Sequence, residues 1–347
     1  MNNFYTRKDI NDHTFDITIT IPKDNFKHSY DLLVKEYAKD TDIKGFRKGK
    51  VPTDMISNQM REIIRLETFE KIAPLYINTA LNKEGLEPIA PPEYTDIPKL
   101  LDDLDVSFTI KVTTMPKFKL GDISKIKIKK GKLAVEEKEI DSAVEELKNT
   151  QKTKEKDVND KWAKEVAGII NAGEIETLKA LRRKIKDALQ KQKDRYQLHQ
   201  LQDEALRKGI EISKISIPES AVKFEAMERE KAFIEDIKKR GVKIEDFLKA
   251  NNITIERMRE LWIKDAKDAL EADTFLNLYS KQMSIDITDE ELEAKIGTIK
   301  ASQPNADKNI FSNPRWKEYI RNVERKEKGF KLFVEEVLGK NFLDERN

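Results

Sequence analysis

Along the first hundred or so residues the apolar positions change period more than once. Phe15, Ile17, Ile19 and Ile21 alternate with Asp16, Thr18 and Thr20, the period of two expected of a strand with one buried face. Pro22 closes that run. From Lys23 onward Phe26, Tyr30, Leu33, Val34, Tyr37 and Ala38 recur at helical spacing, with Pro22 suited to the first turn. Beyond residues 42–52, the positions of Ile56, Met60, Ile63, Ile64, Ile72, Leu75 and Tyr76 predict one or two further helices reaching about Asn82, the first begun by Pro52. Residues 85–98 are proline-rich and read as an irregular connection or a short edge strand. Val106, Phe108, Ile110 and Val112 then alternate with Ser107, Thr109 and Lys111 as a second strand. Residues 1–118 thus predict one small α/β domain.

The pattern beyond it is different. Ile126 and Ile128 alternate with Lys125, Lys127 and Lys129, which predicts an extended arm, and Ile140, Val144 and Leu147 mark a helix ending near Thr150. Residues 151–160 are polar and read as a linker, so that 119–160 form an arm, a helix and a connection. From residue 161 to 347 the spacing is almost entirely helical. Leu178, Leu181, Ile185 and Leu189 open an amphipathic helix expected to reach Lys208, with Gly209 as its stop. Pro218 begins a helix carrying Val222, Phe233, Ile234 and Ile237, and residues 247–250 and 258–283 supply two more segments. Thr288 with Glu291 has the spacing of a capping box. The last helical region carries Trp316, Tyr319, Ile320, Val323, Phe330, Phe333, Val334 and Val337 and ends near Gly339. The fold class is therefore multidomain α+β: a small N-terminal α/β domain, an extended linker arm, and a mainly α-helical C-terminal domain with arms.

Composition narrows the chemistry. Lys and Arg number 66 against 64 for Asp and Glu, so the net charge of +2 gives no global pull toward nucleic acid or acidic membranes. Any electrostatic targeting is local. With no cysteine there is no disulfide framework, thiolate metal site or thiol nucleophile, as suits a reducing compartment. The start of the chain lacks a basic segment followed by an apolar run, and no stretch of about 18 apolar residues occurs. A soluble, cytoplasmic protein is expected.

One short segment concentrates charge. Lys44 precedes Gly45-Phe46-Arg47-Lys48-Gly49-Lys50-Val51-Pro52, a run with no acid. The paired glycines permit a tight turn, Pro52 opens the next helix, and the tip presents Phe46 among basic side chains. Such a tip suits a partner offering phosphates and an apolar pocket: Phe46 anchors, Arg47 makes paired hydrogen bonds, and Lys48 supplies a point charge. The plainer reading is a solvated basic turn whose phenylalanine folds back on its own domain.

GFRKGKVP resembles the ribosome-binding signature of trigger factor, the bacterial chaperone family that meets nascent chains at the tunnel exit. The order of elements is similar as well: the strand at 15–21, the following helix, the proline-rich segment at 88–92, the strand at 106–112, the basic arm at 117–132 and the Ile215-Ser216-Ile217-Pro218 turn. The resemblance implies that Gly45, Phe46, Arg47, Lys48, Gly49, Lys50 and Pro52, with Lys44 as an accessory cation, bind the large ribosomal subunit at its protein and RNA surface. It implies an ATP-independent chaperone for nascent or unfolded polypeptides, with no cofactor. In that family an FK506-binding-type prolyl isomerase domain stands between linker and helical domain. Here residues 160–163 leave no room for it, so no isomerase activity is expected. The shortened chain leaves two specialisations open, soluble assembly clients or homodimer formation.

Other constellations are weaker. His13, His28 and His199 have no metal-ligand spacing, acidic pairs such as Glu136-Glu137, Glu145-Glu146 and Glu290-Glu291 read as solvated helix faces, and no phosphate-cradling glycine loop occurs. The arm at 117–132, with seven lysines against one aspartate, fits either RNA contact through counterion release or plain solvation. Phe224, Phe233, Phe247, Trp262, Phe275, Tyr279, Trp316, Phe330 and Phe333 are expected to be mostly core, a minority lining a client cradle. Two rival readings stand beside the ribosome-bound chaperone: a holdase working off the ribosome, and a helical RNA-binding or scaffold protein. The paired glycines and central Phe46 favour the first reading, since a general phosphate binder needs neither.

Overall fold

The computed structural model describes residues 4–40, 58–96, 98–101, 104–131, 133–303 and 309–340. Strands β1 (Tyr5–Asn11), β2 (Thr14–Ile21), β3 (Glu93–Tyr94) and β4 (Val106–Thr113) form an antiparallel sheet in the order β1-β2-β4-β3. The alternation read from the sequence becomes the register: Phe15 opposes Val112, Ile17 opposes Ile110, Ile19 opposes Phe108 and Ile21 opposes Val106, all buried on one face. The other face carries hydroxyls, with Thr18 and Thr109 Oγ1 atoms 3.0 Å apart and Thr20 Oγ1 2.7 Å from Ser107 Oγ. Among the described residues the apolar face of this sheet is the one that the core covers.

The cover is helical. Helix α1 (Lys23–Asp40) follows β2 directly, its first backbone N–H held by Asp105 Oδ1 at 2.8 Å. Helix α2 (Asn58–Glu84) lays Phe69, Ile72, Ala73, Ile77, Ala80 and Leu81 on the sheet with Phe26 of α1. Each such large side chain taken from water stabilises by about 1.5–3 kcal/mol. The one-or-two-helix expectation resolves to a single helix with Pro74 inside it. Pro74 is exposed between buried Ala73 and Ile77, so the ring disturbs the solvent side of the helix.

Strand β1 was not expected, because only Tyr5 of its seven residues is buried and it shows no alternation to read. It is an edge strand with Arg7, Lys8 and Asp9 along it, a charged edge that discourages further strand pairing.

The remaining helices are α3 (Glu137–Thr150), α4 (Asp160–Ile169), α5 (Leu178–Ile212), α6 (Glu219–Lys239), α7 (Ile244–Ala250), α8 (Ile255–Gln282), α9 (Asp289–Ser302) and α10 (Pro314–Leu338). The chain divides into two compact units, residues 1–117 with 216–270, and residues 118–215 with 271–347. In the second unit Trp162 lies on α4 as the fully buried centre of a small core with Val144, Ala163, Val166, Ala167, Ile175 and Leu181. Asn159 accepts from the Trp162 backbone N–H at 3.0 Å and starts that helix.

The arm, described over residues 118–131 and 133–135, runs along α5, and among the described residues its regular structure is a 3₁₀ turn at Ile123–Lys125. Side chains of α5 hold its backbone: Lys208 Nζ donates to the Lys127 carbonyl at 2.7 Å, Gln197 Nε2 to Gly131 at 2.6 Å, and Gln190 Nε2 to Leu133 at 2.8 Å. Helix α5 does not stop at Gly209 but continues to Ile212. A Cβ at Gly209 would stand 2.5 Å from Cζ of Phe275, whose ring packs with Phe333 at 4.8 Å, so the glycine there makes room for a ring. The capping box expected at Thr288 forms, Glu291 N–H donating to Thr288 Oγ1 at 3.2 Å and Thr288 N–H to Glu291 Oε2 at 2.9 Å. Helix α10 ends at Gly339 with φ of 81°, and Lys130 of the arm donates to the Leu338 carbonyl there.

Candidate functional site

Lys44, Gly45, Phe46, Arg47, Lys48, Gly49, Lys50 and Pro52 all lie outside the described residues. What is described is the frame from which that segment is strung. The last turns of α1 and the first turns of α2 share a cluster of their own, separate from the sheet core: Tyr30, Leu33, Val34, Ala38 and Ile64 are buried, with Tyr37 and Met60 packed against them. The two helices therefore stay paired up to the ends that carry residues 41–57.

A polar clasp reinforces the pair. The Tyr37 hydroxyl donates to Glu67 Oε2 at 2.5 Å, and Lys71 Nζ lies 2.9 Å from Glu67 Oε1. The Tyr37 hydroxyl, and after it Lys71, hold the Glu67 carboxyl below its ordinary range, and the same hydrogen bond raises the Tyr37 phenol. Arg65 sits 5.7 Å from the centroid of the Tyr30 ring, a cation–π distance. Sequence reading found the apolar positions of this cluster but not the Tyr37–Glu67 pair, because the partners lie on two different helices.

A second candidate surface is formed by α6, α7 and the first part of α8. Phe233 stacks edge-on to Phe247 at 5.2 Å and tilts against Trp262 at 5.4 Å, and all three rings are only half-buried. Around them Met227 is 53% and Ile263 44% exposed. A groove of about 140 Å³ opens between Met227, Trp262 and Ile263, and the ion pair of Arg259 with Glu230, at 2.6 Å, lies along it. Phe275, Tyr279 and Phe333, expected to be core, are fully buried. Among the described residues no group of three or more His, Cys, Asp or Glu is placed to hold a metal, and no helix is long and apolar enough to cross a membrane.

Two family descriptions match the chain: bacterial trigger factor protein over residues 4–147, and bacterial trigger factor protein C-terminus over residues 177–335. The chain belongs to the trigger factor family. It lacks the family's middle isomerase domain, since only residues 148–176 separate the two matches. The trigger factor of Desulfotalea psychrophila is 30% identical over 131 residues, which is 38% of this chain and 30% of that protein. That of Cutibacterium acnes is 32% identical over 133 residues, 38% of this chain and 25% of that protein. The matches to these relatives thus span about a third of their length or less. That of Halothermothrix orenii is 22% identical over 423 residues, covering 96% of each chain. A solved trigger factor chaperone, described for promiscuous substrate recognition in folding and assembly, superposes with a TM-score of 0.54 at 17% identity over 95% of this chain and 99% of its own. That likeness concerns the fold, a small N-terminal sheet region followed by a helical part.

Proposed function

We propose that this trigger factor family member is an ATP-independent chaperone of the cytoplasm that docks on the large ribosomal subunit at the tunnel exit through residues 44–52 and shields nascent polypeptides. The observation that carries the reading is the joint occurrence of an uninterrupted GFRKGKVP segment and a family match that runs through it from residue 4 to residue 147. The paired helix ends and the Tyr37–Glu67 clasp support it, because a binding segment strung between two fixed ends has less entropy to lose on docking. Residues 1–118 serve as the docking module, 119–160 as a connection, and 161–347 as the client-binding part.

Client holding is assigned to the half-buried aromatic group of α6 to α8 and the exposed apolar residues around it. Patches of this kind, rimmed by Arg259–Glu230 and by Lys223, hold an unfolded segment weakly and release it without nucleotide hydrolysis. These patches also support the second reading, a holdase acting away from the ribosome, because they do not involve the loop.

Co-sedimentation with bacterial ribosomes across a salt series tests the docking. The intact protein is expected to pellet with the large subunit, and a folded Phe46→Ala, Arg47→Ala, Lys48→Ala variant is expected to remain in the supernatant. Equal behaviour of the two would leave the off-ribosome holdase as the better account.

A further inference from the structure

The first half of α5 carries a segregation of charge that loop docking does not use. Between Lys179 and Arg195 there are eight cations and two acids, in a chain whose charges otherwise nearly cancel. No acid occupies the first turn of α5, and Lys179 stands there instead, at the end of the helix where the backbone dipole favours negative charge.

Acidic neighbours neutralise only part of the excess. Arg182 pairs with Glu137 at 3.0 Å and Asp141 at 2.6 Å, and Lys193 pairs with Glu139 at 2.6 Å. Lys179, Arg183, Lys184, Lys186, Lys191 and Arg195 are exposed and have no partner among the described residues. They fall into two ridges: Lys179, Arg183 and Lys186 at spacings of four and three, and Lys184, Lys191 and Arg195 at spacings of seven and four. The second ridge spans about 16 Å along the axis. The first lines a groove of about 410 Å³ between α3 and α5, whose one acid, Glu137, is already paired with Arg182.

We propose that this face of α5 is an RNA-binding surface that engages the phosphate backbone without reading sequence, and that it acts independently of residues 44–52. The choice of RNA over an acidic protein rests on what the face lacks. Among the described residues no large apolar side chain is exposed on α5 before Tyr196, which is 61% exposed at the end of the second ridge. Protein interfaces depend on buried apolar or aromatic anchors, whereas a phosphate backbone needs repeated cations and tolerates their absence. Tyr196 is placed to stack on an unpaired base beside the helix.

Fluorescence anisotropy of the full chain with a labelled RNA hairpin, measured across a potassium chloride series, tests this. The intact protein is expected to bind with a steep salt dependence. Substituting either ridge (K179Q with R183Q and K186Q, or K184Q with K191Q and R195Q) is expected to flatten the slope of log Kd against log salt by about 2 to 3. Affinity at moderate salt should fall about tenfold or more. A K238Q, K239Q, K243Q variant has the same net charge change elsewhere and is expected to bind as the intact chain does, whereas the Phe46, Arg47, Lys48 alanine variant, which removes two cations of the docking segment, is expected to keep most of the salt slope. Acetylation footprinting of the unaltered protein should show Lys184 and Lys191 protected by RNA, a readout that needs no variant to fold. The proposal is overturned if the intact chain does not bind the hairpin, if the ridge variants keep the full slope, if the loop variant alone abolishes binding, or if polyglutamate competes as well as RNA does.

Discussion

Two glycines inside helices show how far a single residue type can mislead. Replacing a helical glycine by alanine ordinarily gains about 1 kcal/mol through backbone entropy. Gly297 of α9 has open space where its Cβ would be, so Gly297→Ala should stabilise by up to about 1 kcal/mol. Gly209 of α5 faces Phe275, which is itself locked between Tyr279 and Phe333 and cannot move aside. Overpacking there costs about 1–3 kcal/mol against that gain, so Gly209→Ala should destabilise by up to about 2 kcal/mol net. Urea denaturation of the two variants is expected to move the midpoint in opposite directions. The sequence marks Gly209 as a helix stop because glycine commonly ends helices. Its actual role depends on a ring more than sixty positions along the chain, and nothing local to residue 209 carries that information.

The elements most readable in the sequence are those whose own residues supply both faces. The alternation at 15–21 and 106–112 became β2 and β4, and the Thr288/Glu291 spacing became a capping box. Strand β1 is not visible in the sequence pattern because it depends on a neighbour, the hairpin with β2. The same dependence makes two element-scale outcomes measurable. The arm at 118–135 is held by α5 side chains, so Gln197→Leu removes the donor to the Gly131 carbonyl and should cost about 1–2 kcal/mol. Limited trypsin digestion is expected to cut faster after Lys127 and Lys129 in that variant. In the α1–α2 pair, the folded Glu67 carboxyl titrates below its unfolded value, with the Tyr37 hydroxyl as the first cause. Its contribution is therefore present above the unfolded carboxylate pKa and is lost as pH falls through the lower folded pKa. Tyr37→Phe should be less stable than the intact chain at pH 7, and the difference should shrink to the packing effect alone once the pH has fallen below the lowered Glu67 pKa of the folded state. Denaturation at several pH values checks this, and a difference that stays constant down to the lowest pH would assign Tyr37 a purely apolar role.

At the scale of the whole molecule, the loop motif and the family's order of elements were legible, while the placement of residues 44–52 lies outside what the structure describes. The surface proposed to hold clients was not legible, because Phe233, Phe247 and Trp262 have the same helical spacing as the core residues Phe275, Tyr279 and Phe333, and only packing separates the half-buried from the buried. The missing middle domain makes a direct prediction from this division of labour. A prolyl isomerase of the FK506-binding type needs a concave aromatic pocket on a β-rich scaffold. Residues 148–176 instead hold the end of α3, a polar connection and α4, whose one large aromatic, Trp162, is fully buried in a helical core and can face no substrate. A protease-coupled assay on a proline-containing peptide should show the uncatalysed rate, which is set by a barrier of about 18–20 kcal/mol. The same preparation should suppress aggregation of a chemically unfolded client equally well with ATP, with ADP, or after apyrase treatment. Replacing Met227 and Ile263 by serine should weaken that suppression severalfold without changing the urea midpoint, because both side chains are already about half exposed and contribute little to folding. Suppression that survives this double substitution would move the client-holding surface away from α6 and α8, and catalysis well above background would require an isomerase site built from helices.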